Sequence, residues 1–180
     1  MMSGAVIQIS HPVEIRTARE SDAELICGAV TAIASEKRYL ASVDGFSLED
    51  TRAFLKFIVE HNQAQATAFA KGIVVGFCDI LPNASVGFSH VARLGMGVRI
   101  EWRRQGIGRR LLDACLALTK HKGIEKVELE VFSDNIGAVK LYQSFGFSRE
   151  GVKLRGRKLD DRYQDVILMA LWIGGLTSSI

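Results

Sequence analysis

Apolar and polar residues change their period along this chain in a way that predicts its elements. Val13 to Ala18 reads as a first strand. Ser21-Asp22-Ala23-Glu24 is a capping-box pattern, with Ser21 as N-cap and Glu24 reaching back, and the helix it opens is expected to run to about Leu40. Ser47-Leu48-Glu49-Asp50 begins a second helix, whose apolar face is Phe54, Leu55, Ile58 and Val59. Ala66 to Lys71 and Ile73 to Leu81 form a hairpin around Lys71-Gly72, followed by a turn at Pro82-Asn83-Ala84-Ser85. Val91 to Ile100 is a fourth strand. Gly108 to Lys122 is a helix that turns Leu111, Leu112, Cys115, Leu116 and Leu118 to the core. Val127 to Phe132 is a fifth strand, and Ile136 to Phe145 a helix that Gly146 ends. Phe147 to Arg157 and Tyr163 to Trp172 make a last hairpin across Asp160-Asp161. The order β-α-α-β-β-β-α-β-α-β-β describes a mixed α/β sheet in one domain, residues 13–174, with an N-terminal extension at 1–12 and a C-terminal tail at 175–180. No internal repeat, low-complexity segment or linker interrupts it.

Two departures from a plain core pattern carry chemistry. The first is Arg103-Arg104-Gln105-Gly106-Ile107-Gly108, between the fourth strand and the helix that follows. A strand, a short Arg/Gly loop and a helix N-terminus form an anion site, because backbone N–H groups and the helix dipole point at the ligand. Arginines add charge-assisted bonds to phosphate oxygens. The spacing R-x-x-G-x-G is neither the dinucleotide fingerprint nor the Walker loop. The second departure is the fifth strand, where Glu128 and Glu130 alternate with Val127, Leu129 and Val131. A central strand covered on both faces should be apolar on both. The two carboxylates are therefore solvated, paired with Lys or Arg, or facing a cleft where the sheet opens. Asn135 begins the next helix as a cap or a ligand contact. Tyr142 lies two turns further on, and its phenol, with an ordinary pKa of about 10, is either packing or a proton donor to a thiol leaving group near about 8.5.

Composition adds limits. The 180 residues carry a net charge of +3, 48% hydrophobic and 24% charged residues, ordinary values for a globular domain. That charge does not argue for nucleic acid, and the Arg99 to Arg110 cluster has no aromatic platform interleaved with it. Cys27, Cys78 and Cys115 lie in apolar or helical patterns and read as free thiols of a reducing compartment. The N-terminus lacks a signal-peptide pattern, and the longest apolar run, Val166 to Gly175, is too short to span a bilayer. A cytoplasmic protein with no membrane partner is expected.

The pair V-x-x-x-x-R-R-Q-G-I-G at Val98–Gly108 and N-I-G-A-V-K-L-Y-Q-S-F-G-F at Asn135–Phe147 resembles the GCN5-related N-acetyltransferase superfamily. Ile100 stands where many members have proline, a position without chemistry. The resemblance implies a sheet splayed between the fourth and fifth strands, and acetyl-CoA as co-substrate with no metal. Met96, Gly97 and Val98 would bind the pantetheine arm through backbone bonds. Arg104, Gln105, Gly106, Ile107, Gly108 and Arg109 would cradle the pyrophosphate, Arg103 would be a further cofactor-binding residue, and Asn135 would contact the cofactor near its pantetheine arm. Tyr142 would protonate the thiolate. Glu130 matches the place where ribosomal-protein alanine acetyltransferases keep a general base, and His90 on the fourth strand is the alternative. A backbone N–H around Gly97 or Val98 would stabilise the oxyanion.

The acceptor would be a primary amine, most simply a small molecule or amino acid, by direct transfer in a ternary complex. Ser89-His90-Val91-Ala92, Trp102 and Glu150-Gly151 look most like that branch. A protein N-terminal acetyltransferase and a non-catalytic acyl-CoA-binding sensor are the alternatives, and a homodimer is implied at family level. The acceptor side would be shaped by Glu36, Arg38, Tyr39, Arg155, Arg157, Asp160, Asp161 and Tyr163, with Arg38 or Arg157 available to a substrate carboxylate.

Overall fold

The computed structural model describes residues 12–120 and 122–174. The terminal segments 1–12 and 175–180 lie outside it, Pro12 excepted. The elements are β1 (Glu14–Arg16), α1 (Ala23–Ala34), α2 (Leu48–Glu60), β2 (Ala64–Ala70), β3 (Ile73–Pro82), β4 (Val91–Val98), α3 (Ile107–Thr119), β5 (Lys126–Phe132), α4 (Ile136–Ser144), β6 (Ser148–Leu159) and β7 (Arg162–Trp172). They follow the expected order. The strands form one seven-stranded sheet, β1-β2-β3-β4-β5-β7-β6. Every neighbouring pair is antiparallel except β4 and β5, which are parallel and joined through α3.

That parallel pair makes the site. β4 and β5 are in register only from Val91↔Lys126 to Arg93↔Glu128. Beyond it, β4 stays paired with β3 as far as Val98, and β5 with β7 as far as Phe132. The sheet therefore parts like a V beyond Arg93. α3 and α4 cover one face, where Leu111, Leu112 and Cys115 pack on Val75, Cys78 and Val127. On the other face α1 and α2 place Ala29, Val30 and Leu55 against Val74. Burying side chains the size of Leu111 and Leu112, both fully buried, contributes roughly 1.5–3 kcal/mol each.

The hairpin turns follow their residues. Lys71 and Gly72 have φ of 51° and 73°, and Asp160 and Asp161 have 47° and 58°, the paired left-handed conformation of a two-residue hairpin turn. Ser47 caps α2 as expected, its Oγ accepting from Asp50 N at 3.0 Å. Several boundaries differ from the sequence reading. Ser21 does not cap α1. Asp22 is instead drawn to Arg16, with both oxygens bonded at 2.7 and 3.0 Å, and it also accepts from Arg19 N. α1 ends at Ala34 rather than near Leu40, because Lys37 takes a φ of 53° and the chain after it turns back over the sheet. β4 ends at Val98, not Ile100, since residues 100–102 form a 3-10 turn. β6 slips register between Lys153 and Arg157, around Arg155 at φ 51°.

Candidate active site

A cavity of about 490 Å³ occupies the V between β4 and β5. Its walls come from the end of β4 (residues 94–98), the loop and start of α3, the first two turns of α4, Glu130 and Val131 of β5, and Tyr39, Leu40 and Ala41 after α1. Glu130 projects from the opposite face of β5 to Leu129 and Val131, by strand alternation. Tyr142 reaches in from the α3–α4 face. Both line the same cavity, so it passes through the sheet.

The β4 edge facing the gap has its own logic. Arg99 N donates to Val75 O at 2.9 Å, so odd-numbered residues at the end of β4 turn their N–H and C=O to β3. Alternation then aims those of Leu94, Met96 and Val98 into the gap. The N–H of Gly97 goes to β3, so of the two anticipated only the Val98 N–H faces the gap. The Val98 carbonyl is already taken, accepting from Arg103 Nε at 2.8 Å.

The Arg/Gly loop sorts into distinct parts. Gly106 sits at φ 77° immediately before α3, a conformation that favours glycine. At Gly108 a Cβ would stand 3.3 Å from Leu141 Cδ2, so this glycine lets α3 and α4 approach closely at the cavity. α2 and α4 are capped by side chains, α4 by Asn135 Oδ1 accepting from Ala138 N at 3.2 Å. α3 has no side-chain cap, and the N–H groups of Ile107, Gly108 and Arg109 have no partner among the described residues. Free N–H groups at a helix start on a cavity wall suit a bound anion.

Arg104, at φ 61°, carries its guanidinium to within about 4.0 Å of where a Cβ on Gly137 would be, over the start of α4. Arg109 lies along α4, bonding Ser144 Oγ at 2.8 Å. Gln105 does not line the cavity, and its amide bonds back to Glu101 O. Arg103 lines the cavity and is held through two of its three nitrogens. Besides Val98 O it pairs with Glu36 Oε1 at 2.6 Å and stacks over Tyr39, 5.0 Å from the ring centre. Its place is between the cofactor loop and the segment after α1.

Of the candidate proton-transfer groups, Tyr142 is buried, and its ring packs 5.7 Å from that of Phe147. Its Oη has no partner among the described residues. Burial pushes the phenol well above its ordinary pKa, and nearby Cys78 acts in the same direction, so the group holds its proton throughout the neutral range. Glu130 is paired through Oε1 with Lys153 Nζ at 2.7 Å and Arg93 Nη2 at 3.6 Å, while Oε2 has no partner among the described residues. Glu128 is used differently, bonded to Lys126. His90 precedes the first residue of β4, at the end away from the cavity, and its carbonyl serves Glu125 and Lys126. Cys78 and Cys115 are buried and free, and Cys27 is half-buried.

Arg157 ties the last hairpin to the segment after α1 and to the end of β5. It donates to Lys37 O at 3.0 Å and to Gln164 Oε1 at 2.5 Å, and its guanidinium lies 4.7 Å over Phe132. One residue was not anticipated. Asp79 of β3 lies under Gly95, where an added Cβ would stand 3.0 Å from its Oδ1. It has no ion pair among the described residues, and burial pushes its carboxyl up to about 7. An Asp within an apolar strand, Ile73 to Leu81, was the available signal.

This architecture is that of an acetyltransferase. The profile of the acetyltransferase (GNAT) family matches residues 30–147, well over half of the chain, and the chain belongs to that family. The L-amino acid N-acetyltransferase AaaT of Escherichia coli K12 is 31% identical over 107 residues, 59% of this chain and 66% of that protein. The [ribosomal protein bS18]-alanine N-acetyltransferase of the same organism is 34% identical over 71 residues, 39% of this chain and 48% of that protein. The chain thus spans two thirds or less of these curated relatives. The phosphinothricin acetyltransferase of Sinorhizobium meliloti, solved with acetyl-CoA, has the same fold, with a TM-score of 0.84 at 16% identity over 93% of this chain and 92% of that one. No helix among the described residues is long and apolar enough to cross a membrane.

Proposed function

We propose that the protein is an acetyl-CoA-dependent N-acetyltransferase acting on a small primary amine. The cofactor half rests on the cavity's fit to an acyl-CoA: uncapped α3 amides beside Arg104 and Arg109 for the pyrophosphate, gap-facing backbone groups of Met96 and Val98 for the pantetheine, and Asn135 across from them. When bound, acetyl-CoA supplies an electrophilic thioester carbonyl and a thiol leaving group. The chain supplies the rest. Glu130, through its open Oε2, takes a proton from the acceptor ammonium and frees the amine for attack. The Val98 N–H donates to the carbonyl oxygen as negative charge grows there. Tyr142 donates its proton to the sulfur as the C–S bond breaks. The nitrogen sheds its second proton to water in the cavity as the amide forms, that water re-protonates Tyr142, and Glu130 releases the first proton to solvent. Cys78 and Cys115 are buried away from these steps, and direct transfer needs no acyl-enzyme.

The observation that carries the size of the acceptor is the Arg157–Lys37 hydrogen bond. It ties the last hairpin to the segment after α1, two residues before Tyr39 of the cavity wall, and so narrows the side from which a peptide acceptor would enter. An amine that fits beneath this bridge is small. The test is thiol release from acetyl-CoA against free amino acids, polyamines, aminoglycosides and peptides with free N-termini. Turnover of free small amines is expected. Turnover of N-terminal peptides alone would return the site to the ribosomal-protein type, and binding of acetyl-CoA without turnover of anything would favour a sensor.

A further inference from the structure

Glu130, where it lines the cavity, is flanked by a charge arrangement that proton abstraction does not require. Glu130 Oε1 carries two cations from two different strands, Arg93 of β4 and Lys153 of β6. Arg93 lies opposite Glu128 in the short parallel register, so Arg93 and Glu130 share a face. The triad has one carboxylate and two cations, and Oε2 is left open. Arg103 is held by Glu36 and the Val98 carbonyl, and Arg157 by Lys37 O, Gln164 and the face of Phe132, while Arg109 lies along α4 on Ser144 and Arg38 stacks on Tyr39. The side chains of Arg93, Lys153 and Glu130 are 75%, 50% and 36% exposed. Ion pairs that open to water are weak and exchange readily for a ligand's charges.

We propose that the acceptor is an α-amino acid, whose carboxylate is read by Lys153 and Arg93 while its ammonium meets Glu130 Oε2. This rests on the acetyltransferase reading above. A zwitterion pairs both of its charges here. A decarboxylated amine brings one more positive charge beside two cations and leaves them without a carboxylate, so the site selects against it by repulsion as well as by the missing contact. Lys153 and Arg93 are thus the specificity residues, in place of the sequence candidate Arg157, whose guanidinium is already bonded.

The test compares matched pairs, phenylalanine with phenethylamine and leucine with 3-methylbutylamine, by thiol release from acetyl-CoA in wild type, Lys153→Met and Arg93→Met. Wild type is expected to favour the acid over the amine at least tenfold in kcat/KM, and Lys153→Met to shrink that ratio at least tenfold, through the KM of the acid. Equal or better use of the amine by wild type, or a ratio unmoved in both variants, overturns the proposal. Titration of free amino acids into the CoA-loaded protein needs no turnover, and binding of none of them overturns it too. Failure of the protein to bind acetyl-CoA at all is a different result, which removes the acetyltransferase reading itself.

Discussion

The two ends of the cavity are built by different means. The cofactor end comes from one continuous run, the end of β4, the Arg/Gly loop and the start of α3, closed by α4. Its groups are mostly backbone: gap-facing amides of β4 and uncapped amides of α3. The acceptor end is assembled from side chains brought from far apart. Glu36 meets Arg103 across 67 residues, Arg157 meets Lys37 across 120, and Lys153 meets Glu130 across 23. Backbone amides serve any acyl-CoA and tolerate substitution of the side chains above them. Long-range side-chain pairs can be exchanged one at a time, which lets the acceptor change while the cofactor end stays fixed.

The largest expected effect removes the chemistry that joins the two ends. Tyr142→Phe should lower kcat by about 10²-fold or more, the size typical of a lost general acid. The affinity for acetyl-CoA should stay within about twofold, because the Oη bonds nothing else among the described residues. Single-turnover kinetics with a binding isotherm separate the two quantities. Equal turnover would remove Tyr142 from the mechanism.

Arg104→Ala breaks the cofactor end alone. Loss of one charge-assisted contact should weaken CoA binding about tenfold and flatten its salt dependence, with the KM of the acceptor little changed. Glu36→Gln sharpens the contrast from the other side. If Arg103 is a strut between the two ends, this substitution loosens Tyr39–Ala41 and raises the acceptor KM about threefold to tenfold, with CoA affinity constant. Tighter CoA binding in Glu36→Gln would instead show a released Arg103 reaching the phosphates, as the sequence motif first suggested.

A smaller effect lies beneath Gly95. The Asp79 carboxyl is raised to about 7, so between about pH 4 and pH 7 the folded protein holds a proton that the unfolded chain has lost. Stability therefore falls as pH rises through that window. The full shift would correspond to about 4 kcal/mol, and partial access to water reduces it to about 1–2 kcal/mol. Asp79→Asn should recover that amount at pH 8 and change little at pH 4, read from denaturant midpoints. Asp22 acts in the opposite sense. Held below the ordinary carboxylate range chiefly by its hydrogen bond to Arg16, it contributes stability that is present above its unfolded pKa and lost as pH falls through the folded value.

The same contrast explains what could be read from the chain. Element order, the hairpin turns and the Ser47 cap follow from local residue types, and so does the Arg/Gly loop. Gly106 must be read beside its strand and helix, all within one short stretch. The end of α1 could not be placed, because an ion pair from Glu36 to a residue 67 positions away helps to hold the chain after it. The expected Ser21 cap is absent for a local reason, since Asp22 starts α1 and turns its carboxylate to Arg16, six residues back, and to Arg19 N. Glu130 was visible as a carboxylate out of place in its strand. Its partners Arg93 and Lys153 were not, because only the pairing of β5 with β4 and, through β7, its proximity to β6 bring them to it. Arg103 shows the limit of a motif: the pattern marks a phosphate loop, and the fold gives one of its arginines another task.

One competition tests the whole account most directly. Purified protein and labelled acetyl-CoA are offered a mixture of free amino acids together with peptides bearing free N-termini, and the acetylated products are identified by mass spectrometry. The account predicts label on the α-nitrogen of one or more free amino acids and none on the peptides. Label on the peptides alone, or on no amine while acetyl-CoA binds, would contradict it.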